Sequence, residues 1–436
     1  MKKVLFLFAA LAIVFWLSQI DDKINPKITT LTKYFSSPDE SKAYLYLLGI
    51  DASEGEDPLI FGKAQLEKRK EAEKHINLLD ELNYNPPVTT NTLPELEEAV
   101  ACKLSQYECL EKYFNEFSDS KHILEKHSTL LNRYKKFIQF DEYTTQTKPT
   151  NRENFPAYGL LIDANRLFLL DAIYSEKNEN SKQATQKILS NIQLLRKSLI
   201  HQDNLIGKMI FLIMLSDNLD VLLNLKYRFN NIEKIQIANL SAMELSLKRA
   251  IDREIMMGLY IFPMLDKQPN LFSHEFKIPA WLARLSYKPN MTQNQHYALF
   301  QQEKNIIENT HTAKEWSKLA ERNINKKLFS IRNFAGNLLV QTAAPSYFSY
   351  KERFIHLDNK ISLVNQSSLL ESPNLNIKNI PNPFFPENKS VFLSENKQQI
   401  CFERIFTNPI KPRLVENCVY LPPKTKQTHQ LSDKSL

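Results

Sequence analysis

Ala184, Ile188, Ile192, Leu195 and Leu199 recur at i, i+4, i+8, i+11 and i+15. That spacing places all five on one face of a helix. An apolar stretch from about Tyr158 to Tyr174 precedes this segment, and another from about Leu205 to Leu225 follows it, each across a short polar connection. Consecutive helices joined this tightly pack as antiparallel hairpins. A tetratricopeptide-type solenoid would need a fixed period with Trp, Gly and Pro punctuation, and neither is present. The expected fold class is therefore mainly α, an irregular array of antiparallel helical hairpins, with a small C-terminal antiparallel β segment.

The β segment is expected because the texture changes beyond about Leu370. Pro373, Pro381, Pro383 and Pro386 are followed by three short strand-like stretches, Ser390 to Ser394, Gln399 to Phe406 and Val415 to Leu421. Upstream, Ser37-Pro38-Asp39-Glu40 reads as a capping box opening the first helix, Asp57-Pro58 repeats the device, and Ser241-x-x-Glu244 opens a helix to about Met257. Pro263, Pro269, Pro279 and Pro289 then predict a long irregular connection. Helices resume from about Thr292 to Thr310 and Thr312 to Val340.

Only the N-terminus departs from the balance of a soluble body, which is 43% hydrophobic and 24% charged over 436 residues with a mean hydropathy of −0.38. Lys2 and Lys3 precede an uncharged run from Val4 to Leu17, and Asp21 and Asp22 follow it. A cleavable export signal needs small residues just before the cut, whereas this run ends in Trp16, Leu17, Ser18 and Gln19. An uncleaved anchor is the leading reading, and cleavage with secretion to the periplasm the alternative. As a helix, residues 4–20 would span ~25 Å, slightly short of a hydrocarbon core of ~30 Å, which Lys side chains can bridge by snorkelling. The charge asymmetry favours a single pass of the inner membrane, with a cytoplasmic N-terminus and a periplasmic body. No cysteine follows the run to carry a lipid.

The expected organisation is an N-terminal anchor or signal at 1–22, a tether at 23–36, a helical body at 37–370, a small β segment with a disulfide at 371–422 and a disordered tail at 423–436. The cysteines stand as two local pairs, Cys102 with Cys109 and Cys401 with Cys418. Local disulfides are the economical choice among three connectivities, with reduced buried thiols as the alternative. On an unbroken helix, Cys102 and Cys109 would sit about 10 Å apart along the axis, beyond the about 4.4 to 6.8 Å that a disulfide accepts between Cα atoms. That bridge requires a helix break near Ser105 to Glu108. Cys401 with Cys418 would pin the second strand to the third.

Seven glycines, at 49, 55, 62, 159, 207, 258 and 336, decide against several activities. No G-x-G-x-x-G fits them, and Gly62-Lys63 and Gly207-Lys208 are followed by Ala and Met, so no phosphate-cradling loop for a nucleotide exists. G-x-S-x-G is absent, and His274-Glu275 lacks the second histidine of H-E-x-x-H. The net charge of +7 is spread along the chain rather than gathered beside aromatics, which excludes nucleic acid as the leading partner. No cofactor or metal is assigned.

Weaker constellations remain. His311 with Glu315, and His296 with Glu303, share helix faces at ligand-like spacing, although surface polar residues are the more economical reading of such pairs. Asp252, Arg253 and Glu254 could perform acid–base work in a cleft, and a structural ion pair is the simpler reading. The run Ile255 to Leu265 could dock on lipid or line a pocket, with ordinary core preferred. Lys208, Asp217 and Asp220 argue against a second span at Leu205 to Leu215. No catalytic residue is assigned.

Several phrases resemble an uncharacterised family of membrane-anchored envelope proteins of Gram-negative bacteria. They are Tyr46-Leu47-Leu48-Gly49 with Asp57-Pro58 and Gly62, then Lys288-Pro289-Asn290-x-Thr292-x-Asn294, then Gly336 with Pro345-x-Tyr347. The resemblance implies topology and carries no catalytic assignment. The leading functional expectation is a non-enzymatic interaction or scaffold protein of the cell envelope that meets an envelope protein partner. An envelope hydrolase and a lipid or small-ligand binder are the alternatives.

Overall fold

The computed structural model describes residues 6, 13, 15–36, 38–75, 93–115, 120–150, 153, 155–178, 181–229, 235–267, 279–310, 331–343, 347–371, 377, 380–381, 391–394, 398–402 and 418–422. It is 71% helical with one small antiparallel sheet, whose Ile400, Val419 and Tyr420 join the main hydrophobic core.

The predicted central hairpins are present as α8 (Tyr158–Asn178), α9 (Ser181–His201) and α10 (Leu205–Arg228). All five residues of the predicted α9 stripe are buried. α10 is buried on nearly every side, because α8, α9 and a later helix, α16 (Phe348–Asn365), all pack on it. Its start is capped by Asn204, whose side chain accepts from the Gly207 amide at 2.7 Å. Helices this close need a register, and a buried polar set supplies it. Asn218 donates to Asn165 at 2.9 Å, Asn191 donates to Asn218 at 2.9 Å, and the Tyr134 hydroxyl reaches both Asn165 and Asn191. Tyr134 belongs to α7 (Ser128–Phe137).

Before this core lie α1 (Pro26–Ser36), α2 (Lys42–Leu48), α3 (Pro58–His75), α4 (Glu98–Ala101), α5 (Tyr107–Asn115) and α6 (Ser120–Lys126). Residues 26–36, expected in a tether, instead form α1, which buries Ile28 and Phe35 against α12 (Lys248–Lys267). The first capping device also differs. Ser41 rather than Ser37 caps α2, accepting from the Tyr44 amide, while Ser37 lies outside the described residues. α2 and α3 cross where glycines face each other. A Cβ on Gly49 would stand 2.0 Å from the Pro58 carbonyl oxygen and 2.6 Å from the Gly62 nitrogen, so the approach is closed to any larger residue.

Both local disulfides are formed. α4 ends at Ala101 and α5 starts at Tyr107, which supplies the expected helix break and brings the Cα atoms of Cys102 and Cys109 to 5.8 Å. At the other end, β1 (Phe392–Leu393), β2 (Gln399–Cys401) and β3 (Cys418–Tyr420) form a sheet in the order β1-β2-β3, with Cys401 directly opposite Cys418. Of the predicted strand stretches, residues 390, 403–406 and 415–417 lie outside the described residues. β3 packs on α10 and α16, and the Tyr420 hydroxyl donates to the Ser105 carbonyl at 2.5 Å inside the first disulfide loop.

The Ser241–Glu244 capping box is present but opens only α11 (Ala242–Leu245), after which α12 starts at Lys248. α12 does not stop near Met257. It continues through Pro263 to Lys267, because Ile255, Leu259 and Phe262 keep a buried face packed against α14 (Pro289–Asn309). That packing offsets a break costing about 3 kcal/mol. A short α13 (Ala280–Ala283) precedes α14, and a 3₁₀ turn (Ile331–Asn333), α15 (Phe334–Ala343) and α17 (Ser367–Leu370) complete the described helices. Phe262, Leu299 and Val340 form a small apolar cluster separate from the main core.

Of the apolar run, residues 15–19 are helical and exposed or partly so, and residues 1–5, 7–12 and 14 lie outside the described set. Among the described residues no helix is long and apolar enough to cross a membrane. The tail at 423–436, His274, Glu275, His311 and Glu315 also lie outside it.

Candidate functional site

The best-formed cleft, of about 560 Å³, opens between α1, the start of α12 and the loop at 144–145. Its floor is polar yet closed. Arg253 forms a buried ion pair with Glu153 and donates to the Thr147 carbonyl at 2.7 Å. Thr147 in turn donates to Glu153 at 2.7 Å. Burial raises the Glu153 carboxyl, and Arg253 partly opposes the rise. Asp203 accepts from both the amide and hydroxyl of Thr145, at 2.9 and 2.5 Å. Asp252 pairs with Lys304 and accepts from Gln301.

The predicted triplet Asp252, Arg253 and Glu254 therefore separates in three directions. Asp252 faces α14, Arg253 turns to Glu153 a hundred residues earlier, and Glu254 is half-buried with its carboxyl pushed up to about 7. Burial is the main cause there, repulsion from Glu153 adds to it, and Arg253 opposes it. Of the cleft carboxylates, Asp203 and Asp252 are committed to donors, whereas Asp39 is exposed at the rim, where its charge acts on Arg249. Glu254 does not line the cleft.

The rim is different. Lys33, Lys248 and Arg249 are exposed around the mouth. Arg249 donates to the Tyr34 hydroxyl at 2.9 Å, and among the described residues none of the three cations makes an ion pair. Leu31, Tyr34 and Phe35 supply apolar surface beside them.

The other predicted pair does not converge, and both His296 and Glu303 are buried rather than on the surface as expected, each satisfied by a different partner. His296 Nε2 lies 3.1 Å from the Ile255 carbonyl, and the ring sits between Phe262 and Phe300. Burial pushes this imidazole down to about 4. Glu303 accepts from the Tyr347 amide at 2.6 Å, one helix further on. Among the described residues no group of three or more His, Cys, Asp and Glu is placed to hold a metal ion. Within the run Ile255 to Leu265, Ile255, Met256, Leu259 and Phe262 are buried core.

A second site joins the N-terminal segment to the body. α14 starts with Lys288, which makes no capping bond with its side chain, and Pro289, which has no N–H. The next two amides are taken by Asp21. Asn290 N–H donates to one carboxylate oxygen at 2.7 Å and Met291 N–H to the other at 3.1 Å. Asn290 and Asn294 donate to the carbonyls of Asp22 and Lys23 at 2.8 and 2.9 Å, and Asn25 N–H donates to Asn294 at 2.9 Å. Arg332 donates to the Ile20 carbonyl at 2.8 Å. The missing cap at Lys288-Pro289 was a readable signal that an acceptor must arrive from elsewhere in the chain. Two of the phrases in the family resemblance also meet here, since a Cβ on Gly336 would stand 2.0 Å from Thr292 Oγ1.

No family model, no curated protein and no solved structure matches this chain.

Proposed function

We propose that the protein is a membrane-anchored helical interaction module of the cell envelope. Residues 4–20 would hold it in the inner membrane, with the body in the periplasm, and the cleft would receive an acidic segment of an envelope protein partner. The basic rim carries this reading, because Lys33, Lys248 and Arg249 are exposed, lack ion pairs among the described residues and surround apolar surface. Opposite charge across an interface supplies steering and specificity. Two disulfides agree with an oxidising compartment. The seating of Asp21 to Asn25 on α14 supports the reading, because it ties the residues after the apolar segment to the body.

The test is photo-crosslinking in cells from a benzoylphenylalanine at Thr30, in the wild type and in the Lys33→Glu/Lys248→Glu double variant. Wild type is expected to give a discrete protein adduct that charge reversal removes. An adduct unchanged by charge reversal, or recovery of glycan or lipid alone, would contradict the reading.

A further inference from the structure

α15 is apolar on two sides. Val340 is buried against Phe262 and Leu299, while Phe334 and Leu338, at i and i+4, are 57% and 54% exposed. Ile331, one turn earlier, is 79% exposed and extends the same stripe. An apolar helix side is normally covered, whereas here one of the two faces outward. The turn after α13 lies alongside, since the Ala335 amide donates to the Ser286 carbonyl at 2.9 Å. That turn and α13 expose Trp281, Leu282 and Leu285.

The patch is continuous with the N-terminal apolar segment. Phe15 packs edge-on against Trp281 with ring centroids 5.9 Å apart, Gln19 donates to the Trp281 carbonyl at 3.3 Å, and Arg332 within the patch donates to Ile20. Half-exposed Arg284 and Arg332 stand among the apolar side chains. An exposed apolar surface with a Trp and arginines, contiguous with a segment that has hydrocarbon character, matches the interfacial zone of a bilayer.

We infer that this face, formed by Trp281, Leu282, Leu285, Ile331, Phe334 and Leu338, docks into the headgroup region of a phospholipid bilayer. The body then lies against the membrane rather than standing off it. The inference rests on the membrane anchoring proposed above. Asp21 and Asn290 hold the anchor's exit beside the patch, so insertion of one brings the other to the lipid surface.

The test uses the full chain in vesicles of phosphatidylethanolamine and phosphatidylglycerol, with and without a doxyl-labelled phosphatidylcholine quencher. Single-cysteine variants Phe15→Cys, Ile331→Cys and Leu338→Cys carry an environment-sensitive fluorophore, attached without reductant so that the disulfides persist. All three labels are expected to lose fluorescence with the quencher lipid, those on Ile331→Cys and Leu338→Cys most strongly when the doxyl group is near the headgroup. If only Phe15→Cys is quenched, the docking face is overturned while the anchor stands. If none is quenched, the anchor fails and the docking face falls with it.

Discussion

Asp21 caps a helix that begins 268 residues later, its two carboxylate oxygens accepting from Asn290 and Met291 at the start of α14. A carboxylate at a helix N-terminus stabilises it by about 1 kcal/mol, through hydrogen bonds and through the helix dipole. In this chain the bond also ties the residues that follow the apolar segment to the body, so one acidic side chain joins local helix chemistry to a long-range contact.

Asp21→Ala is accordingly expected to free the two amides without unfolding the core. Hydrogen exchange at Asn290 and Met291 should accelerate by roughly tenfold, the equivalent of about 1.4 kcal/mol, while amides in α10 stay protected. Unchanged exchange at both residues would show that the cap contributes nothing.

The α2–α3 crossing gives a sharper case. Gly49→Ala places a methyl carbon 2.0 Å from the Pro58 carbonyl oxygen and 2.6 Å from the Gly62 nitrogen, against backbone on both counts. The helices must separate, and a loss of about 3 kcal/mol or more is expected in urea unfolding. Gly159→Ala is the control, since nothing lies within 4 Å of its added carbon.

Half-buried Glu254 on α12 and buried His296 on α14 give opposite pH dependences. Glu254 is raised from 4.5 to about 7, so the folded state holds its proton more tightly, and stability falls as pH rises from about 4.5 through 7. His296 is lowered from 6.5 to about 4, so the unfolded state binds the proton first, and stability falls as pH drops from 6.5 through about 4. Each effect is worth no more than about 3.5 kcal/mol at about 1.4 kcal/mol per unit. The two windows overlap, so the slopes oppose each other in the wild type. Glu254→Gln should leave a denaturation midpoint that rises between pH 4 and 6.5, and His296→Gln one that falls between pH 4.5 and 7. Identical profiles in wild type and variants would rule these groups out as the source.

The disulfide between Cys401 and Cys418 closes a short loop on a sheet whose strands are two or three residues long. A paired Cys401→Ser/Cys418→Ser variant should lose about 2–4 kcal/mol. Protease sensitivity should rise first around residues 391–421, with the central hairpins retained. Loss of the whole fold at once would mean that the sheet is integral to the helical core.

Much of the fold was legible because the relevant signals are local. The α9 stripe needs only one turn to the next, and the spacing of Cys102 and Cys109 demands the break seen between α4 and α5. α1 was missed because Ile28 and Phe35 stand on a Thr-rich segment with little apolar pattern, and α12 supplies their partners from far along the chain. The continuation of α12 through Pro263 depends likewise on tertiary packing that overrides a local rule. At the site, Asp252 and Arg253 were visible as charges. Their partners Lys304 and Glu153 were not, since ion pairs across 52 and 100 residues leave no periodic trace.

The proposed topology depends most on the N-terminal segment remaining attached and embedded. The direct measurement is alkaline extraction of membranes from cells expressing the full chain, followed by intact mass analysis of the protein in each fraction. An anchored protein stays in the membrane pellet at the mass of a chain retaining residues 4–20. A soluble protein shortened to begin near Asp21 would contradict that topology.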